Sequence, residues 1–422
     1  MIIEFTIGNY RSFLDPQTIS FRATTMDSTI EDVNSSNMVD ENGHRLLKIL
    51  GIYGPNASGK SNLLRGLKFF RDMIVESLIS EELLERSMQP FRVNLLMSKD
   101  NEQAGFFQAG LLLNGQKFRY GFTLNAQAEI GSEWLFGPAN QKETYYFKRT
   151  GNEIDVNTKY FPEGQKLPED KLRPNALFLS FCSSYDGKIS QDIRTYFIER
   201  FWFERSSITN LRRSAVRARQ ATDELLKEPE TKAIVLNWLN AAGLPYEDIR
   251  YIGGNKDDYS MQRVALLKRM YDTTGKSTGI AVMDLDADES DGTKKFYNYI
   301  GELNRLFKSG GIFIVDEIDN NFHPFLLRKL VSLFQSPVIN KVGAQLLFSS
   351  HDTNLLQPDC MRRDQFYFTE KTFWDTTQLY SLADLKGIRN NADFARQYLA
   401  GFYGALPHLS SFLTVNESGE KK

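Results

Sequence analysis

The chain has 422 residues, 41% hydrophobic and 25% charged, a balance that supports a large core and two or three domains. Its net charge of −2 gives no global basic field for nucleic acid, and its 2 cysteines and 4 scattered histidines exclude a disulfide framework or a zinc-finger ligand set. No apolar run approaches the ~18 residues of a membrane span, and Glu4 and Arg11 come too early for a signal-peptide core, so a cytoplasmic location is expected.

Residues 2–7 and 17–23 read as short strands with Pro16 in the turn between them, and polar 27–45 reads as a loop. An apolar strand over 47–53 runs into Gly54-Pro55-Asn56-Ala57-Ser58-Gly59-Lys60-Ser61. That run fits G-x-x-x-x-G-K-[ST], the loop whose backbone N–H groups cradle nucleotide phosphates. Glycines let the backbone approach the anion closely. The next helix, with Leu63, Leu67, Phe70, Ile74 and Leu78 on one face, points its positive dipole end at the same place. A chance match would lack this strand and this helix. Asn56, Ala57, Ser58, Gly59 and Lys60 are therefore expected to bind nucleotide. Lys60 would reach the β- and γ-phosphates, and the Ser61 hydroxyl would bind Mg²⁺.

Alternating apolar residues and turn signals over 105–148 predict a β-meander, and 185–245 reads as helical. The Arg194–Arg219 stretch holds 7 arginines near Phe201, Trp202 and Phe203, a combination suited to nucleic-acid phosphates. Glu199 and Glu204 dilute it, which favours a solvated face or a protein interface. Asp284-Leu285-Asp286-Ala287-Asp288 looks like the D-x-D of a metal nuclease. A two-metal site needs a further carboxylate on a separate strand, so a solvated acidic loop is expected.

A helix over 291–308 opens at Ser290-Asp291-Gly292, either a second anion site or an ordinary N-cap. The strand 311–315 closes with Asp316-Glu317, at the end of a parallel strand where ligands gather. Asp316 is expected to hold Mg²⁺ through water, and Glu317 to orient and deprotonate an attacking water. After a helix over 324–335, the strand 344–349 ends in Ser349-Ser350-His351-Asp352, where His351 can contact the γ-phosphate. The tail, 365–415, adds a strand and one or two helices. The expected organisation is an N-terminal lobe over 1–180, a mainly helical Arg-rich insertion over 181–275 and a C-terminal lobe over 276–422.

At these residues the chain resembles the ABC-type ATPases of the SMC and RecF kind. Asn9-Tyr10-Arg11-Ser12, the glycine-rich loop, Ser290 to Thr293, Asp316 to Asp319 and Ser349 to Asp352 carry the resemblance, in that order. More narrowly it resembles the RloA/AbiL-like standalone ATPases of prokaryotic defence loci, through Gln89 to Arg92, Arg362 to Gln365, Leu379 to Leu382 and Tyr398 to Pro407. The resemblance implies an α/β fold: an ABC-type P-loop ATPase head with an N-terminal antiparallel β lobe, a helical insertion and no long coiled coil. It implies ATP and Mg²⁺ as cofactors, and a homodimer (or higher oligomer) closed by ATP. Ser290, Asp291 and Gly292 would then act in trans as the signature, and His351 as the switch histidine. Arg11 would approach the nucleotide, and Gln89 would link Mg²⁺ to the second lobe. The chain departs from the pattern in lacking Leu-Ser-Gly-Gly and in placing His323 where SMC-like chains carry aspartate. Three functions follow: a defence ATPase controlling a separate nuclease or toxin encoded nearby, a RecF-like repair ATPase on DNA, or an ATP-ordered scaffold with incidental turnover.

Overall fold

Every side chain of the strand Ile49–Tyr53 is buried, because the strand has neighbours on both edges and cover on both faces. It belongs to a 6-stranded sheet ordered Phe201–Phe203, Ile312–Val315, Gln345–Ser349, Ile49–Tyr53, Phe366–Lys371, Thr377–Ser381. Neighbours run parallel except the last pair, which is antiparallel. Ile314 faces Leu347 and Leu347 faces Leu50, so the strands ending at Tyr53, Val315 and Ser349 emerge side by side. This computed structural model describes residues 1–79, 104–125, 127–139, 142–165, 167–204, 219–252 and 263–407.

A 7-stranded antiparallel sheet covers one face: Glu153–Val156, Lys142–Thr150, Ile130–Ala139, Gln116–Leu124, Gly105–Leu113, Ile2–Gly8 and Gln17–Ser20 in spatial order. The expected meander is its centre, and Asn114-Gly115, at φ 52° and 72°, makes the tight turn of its first hairpin. The helix Lys60–Glu76 packs in one core with both sheets, joining Leu63, Leu67 and Phe70 to Phe122 and to Leu50, Ile52 and Leu347. Phe70 stacks on Phe122 at 5.5 Å and meets Phe5 edge-on at 5.6 Å. On the opposite face a second core joins Tyr53, Phe313 and Phe348 to the helices Asp291–Ser309 and Pro324–Gln335. The architecture is α/β, with an antiparallel sheet set on a largely parallel one. Among the described residues the longest helix has 19 residues, and none is long and apolar enough to cross a membrane.

Two expectations need correction. The polar stretch 27–45 is not a plain loop: it forms the helix Glu31–Asn37 and the hairpin Met38–Glu41/His44–Leu47. Arg362 is the reason, since its buried guanidinium donates to Asn34 at 2.7 Å, to Asp27 at 3.0 Å and to the carbonyls of Thr24 and Met26 at 3.2 Å. That gives the polar residues a distant buried partner. The stretch expected to be helical, 185–245, also contributes Phe201–Phe203, which pairs in parallel with Ile312–Val315. Beyond it, Asp248–Ile252, Arg263–Tyr271 and Ser277–Asp284 form a separate 3-stranded sheet.

Candidate nucleotide site

The loop after Ile49–Tyr53 takes left-handed backbone at Ala57, φ 61°, and at two glycines, Gly54 at 147° and Gly59 at 114°. Both glycines are also short of space. A Cβ on Gly54 would lie 2.3 Å from the Thr369 carbonyl oxygen, and one on Gly59 would lie 2.2 Å from Thr377 Oγ1. The outer hairpin of the parallel sheet therefore shapes the loop. Ser58 Oγ and Thr369 Oγ1 share a hydrogen bond of 2.6 Å, and Thr377 Oγ1 donates to the Ser58 carbonyl at 2.8 Å. Ser12 joins from the N-terminal sheet: its hydroxyl accepts from Asn62 at 2.8 Å, and its carbonyl accepts the Thr377 N–H at 2.6 Å. Sequence reasoning missed Thr369 and Thr377, because isolated hydroxyl residues on strands carry no motif, and it read Ser12 only as part of the Asn9–Ser12 run, with no role beside the loop.

Lys60 opens its helix almost fully buried, with Nζ donating to the carbonyls of Gly54 at 2.7 Å and Pro55 at 2.9 Å. Burial pulls its pKa down to about 8, against the opposing pull of Asp316, Glu317 and Asp319. A buried ammonium bonded to neutral carbonyls suits a polyanion. One residue on, Ser61 Oγ donates to Asp316 Oδ1 at 3.1 Å, which ties the loop to the end of Ile312–Val315. Ser349 Oγ donates to the same Oδ1 at 2.6 Å and accepts the Glu317 N–H at 2.7 Å. Glu317 has φ 53°, a conformation that costs a non-glycine residue on the order of 1–3 kcal/mol. The Ser349 hydroxyl and the bond from the Ile318 N–H to the Ser349 carbonyl at 3.0 Å hold it there. The His351 N–H donates to Asp319 Oδ1 at 3.3 Å. Partial burial, then the Lys60 charge, lowers the His351 pKa against Asp319, Glu317 and Asp316, which favours a neutral imidazole.

A family model described as "AAA domain, putative AbiEii toxin, Type IV TA system" matches residues 49–357. The chain belongs to this family. The matched span runs from the strand before the loop to just beyond His351 and contains the loop, Asp316, Glu317 and His351, whereas Ser12, Thr369 and Thr377 lie outside it. Among curated proteins none matches this chain. Similar solved structures include the SMC head domain from Thermotoga maritima, at 10% identity and TM-score 0.43, with 90% of this chain and 98% of that one covered. Another is an SMC head bound to the C-winged helix domain of ScpA, at 13% identity and TM-score 0.45, with 90% and 97% covered.

The other expected residues of this AbiEii-type AAA chain divide. Asn56 and Ala57 are exposed on the loop. Arg11, at φ 52°, donates from Nε to the Tyr10 hydroxyl at 3.3 Å, and its neighbour Ser12 bonds to Asn62, just after the loop, and to Thr377. Ser290 is exposed and caps its helix, accepting the Thr293 N–H at 3.2 Å, and Asp291 is exposed beside it. Gly292 lies so close to the turn after the acidic pair that a Cβ would stand 2.5 Å from the Asn321 carbonyl oxygen. Gln89 lies outside the described residues, as do Arg205, Arg212, Arg213 and Arg217. Arg194 donates to the Val75 carbonyl at 2.8 Å, and Arg219 pairs with Asp286 at 2.6 Å, so both serve the fold. Asp284 closes a turn by accepting the N–H groups of Asp286 and Ala287 at 2.9 Å, and it pairs with Arg263 at 2.7 Å. Among the described residues no group of three or more His, Cys, Asp or Glu side chains is placed to hold a metal. His323 accepts the Phe325 N–H at 3.3 Å on Nδ1, capping the helix Pro324–Gln335.

A cleft of about 840 Å³ borders the loop, with Tyr53 to Asn56 and His351 on one side and residues from Tyr398 to Pro407 on the other. The donor set fits a magnesium nucleotide. The Ser61 hydroxyl and the Asp316 carboxylate are hard oxygen donors already in contact, while Lys60 and the loop N–H groups suit phosphate.

Proposed function

We propose that this AbiEii-type AAA protein binds ATP with Mg²⁺ and hydrolyses it. The observation that carries the reading is the Asp316 carboxylate, which receives hydrogen bonds from Ser61 on the loop and from Ser349 on the neighbouring strand. Lys60 and the N–H groups of residues 56–60 bind the phosphates. Ser61 and Asp316 would hold Mg²⁺, with Gln89 as the candidate that links the ion to the second lobe; when bound, the ion would neutralise charge on the phosphates. Glu317 orients the attacking water and takes its proton, and neutral His351 contacts the γ-phosphate. Arg11 approaches the nucleotide from the N-terminal sheet.

Glu317 and His351 are both exposed, whereas a hydrolytic site works best with bulk water excluded. A second copy supplies the cover. Its Ser290 and Asp291, exposed at a helix N-terminus, close with the half-buried Gly292 over the nucleotide in trans and make an ATP-dependent homodimer. The toxin–antitoxin description of the family supports a place in a defence system; within it, our reading makes this chain a sensor or regulator of the RloA/AbiL-like kind, acting on a separate nuclease or toxin. Arg194 and Arg219 are engaged within the fold, so they give the nucleic-acid reading no support.

Phosphate release and light scattering test the reading. Lys60→Ala should abolish nucleotide binding, and Ser290→Arg should bind ATP without dimerising. Unchanged turnover in Lys60→Ala would remove the ATPase assignment. Co-purification with the product of a neighbouring gene, with and without ATP, tests the effector.

A further inference from the structure

One half-buried cation joins the helix Asp291–Ser309 to the turn that carries the acidic residues. Lys295, one turn into that helix, has a side chain only 13% exposed, like that of its partner Glu204 at 3.4 Å. Lys295 Nζ donates to the Asn320 carbonyl at 2.9 Å and stands 4.9 Å above the Phe322 ring. Glu204 follows the edge strand Phe201–Phe203, and its N–H donates to the Ile314 carbonyl at 2.8 Å. A single ammonium therefore touches the helix, the turn and the sheet edge together.

A second contact repeats the link. Gly292 presses its Cα against the Asn321 carbonyl, where a Cβ would stand at 2.5 Å. The turn itself is closed by Asn320 N–H to Glu317 carbonyl at 3.0 Å and by Phe322 N–H to Asp319 carbonyl at 3.2 Å. Glu317 and Asn321 both hold left-handed backbone, at φ 53° and 66°. These bonds tie Glu317 into one turn with the Asp319 that accepts the His351 N–H. Charge-assisted bonds with this little exposure are strong only while their geometry is kept, so a shift of the helix is felt at the turn.

We infer that Lys295 is a positioning residue that carries engagement of Ser290–Gly292 through to Glu317 and Asp319 in the same chain. The inference rests on the ATPase reading above. When the helix N-terminus of one copy meets the nucleotide of the other, Lys295 pulls on Asn320 and sets the place of Glu317. Each site thereby learns whether the opposite one is filled, a coupling of two sites through one turn.

Lys295→Ala and Lys295→Arg, made in the full chain, test this. Lys295→Ala should lower kcat about tenfold, the scale of one charged hydrogen bond, and bring the Hill coefficient for ATP towards one. Equilibrium affinity for a fluorescent ATP analogue should stay within about twofold, because Lys295 does not touch the loop. Lys295→Arg should restore most of both, since it keeps charge and donor. Hydrogen exchange over 317–323 without nucleotide should be faster in Lys295→Ala than in the wild type. Wild-type kcat and cooperativity in Lys295→Ala would overturn the inference, as would unchanged exchange over 317–323. A wild-type protein that releases no phosphate would instead sink the ATPase reading, and the exchange measurement would still judge the link.

Discussion

Ser349 Oγ stands 2.6 Å from Asp316 Oδ1, to which it donates, while accepting the Glu317 N–H at 2.7 Å. One hydroxyl on the strand Gln345–Ser349 thus fixes both members of the acidic pair on the neighbouring strand. Its donor and acceptor capacities are both used, so no other side chain of that size replaces it. Ser349→Ala should leave Lys60 and the loop intact and spare nucleotide affinity. Hydrolysis should fall about 10²-fold, the scale for a catalytic group released by a fraction of its own length. The lost partners should cost about 1–3 kcal/mol of stability. Single-turnover hydrolysis beside a thermal melt separates the two effects, and an unchanged rate would deny Ser349 its part in holding Glu317.

Glu317 should be separable from binding altogether. Glu317→Gln keeps the shape and the backbone bond to Ser349 but gives up the basic oxygen. Turnover should slow about 10²–10⁴-fold, as for a lost general base, while ATP still binds. An ATP-bound dimer should then accumulate on a sizing column. Turnover at the wild-type rate would move the general base elsewhere.

Burial brings the Lys60 pKa down from 10.5 to about 8, and this gives binding a definite pH dependence. Between those values the unfolded chain carries the proton and the folded one does not. The unfolded state therefore binds more protons, and stability rises with pH across that window. The charged lysine is a burden on the fold below it. Bound polyphosphate favours the charged form and drives the pKa back up. ATP binding above about pH 8 should therefore take up a proton, and affinity should weaken as pH climbs towards 10. Calorimetry in two buffers of different ionisation enthalpy reads the proton directly. Binding without uptake at pH 9 would show that the phosphates do not reach Lys60.

The loop and the acidic strand end were legible because phosphate chemistry demands fixed residue types at fixed spacing. The helix Lys60–Glu76 was legible because its apolar residues recur with the helical period. What escaped depends on partners far along the chain. Thr377 meets Ser58 across 319 positions, and Arg362 meets Asn34 across 328, separations that no local pattern encodes. Phe201–Phe203 is only 3 residues long, set between charged neighbours, and becomes a strand because Ile312–Val315 offers it a parallel edge. Lys295 carries no signal in the sequence beyond one more charge on an amphipathic helix, because its partners, the Asn320 carbonyl and Glu204, lie 25 and 91 positions away.

Arg362 makes a stability prediction remote from the nucleotide. Its guanidinium is fully buried and pairs with Asp364 at 2.8 Å besides holding Asn34 and Asp27. Arg362→Leu would strand Asp364, itself buried, without its cation. The expected cost is about 3–5 kcal/mol, the range for breaking one side of a buried pair. Hydrogen exchange should show the loss first over 24–37, and a melt within a degree of wild type would contradict it.

Thr377 tests whether the outer hairpin shapes the phosphate loop. Its Oγ1 donates to the Ser58 carbonyl at 2.8 Å and lies 2.7 Å from Ser12 Oγ, directly against the space that Gly59 leaves open. Thr377→Val keeps the volume but removes the hydroxyl, leaving the buried Ser58 carbonyl without that donor. Stability should drop by about 1–3 kcal/mol, and nucleotide affinity should weaken as the loop loses its fixed curvature. Thr377→Ser retains the hydroxyl and should bind ATP nearly as the wild type does. Gly59→Ala attacks the same contact from the other side and adds a methyl at φ 114°, so it should abolish binding. Equal affinities for the valine and serine variants would mean that the loop holds its shape by itself.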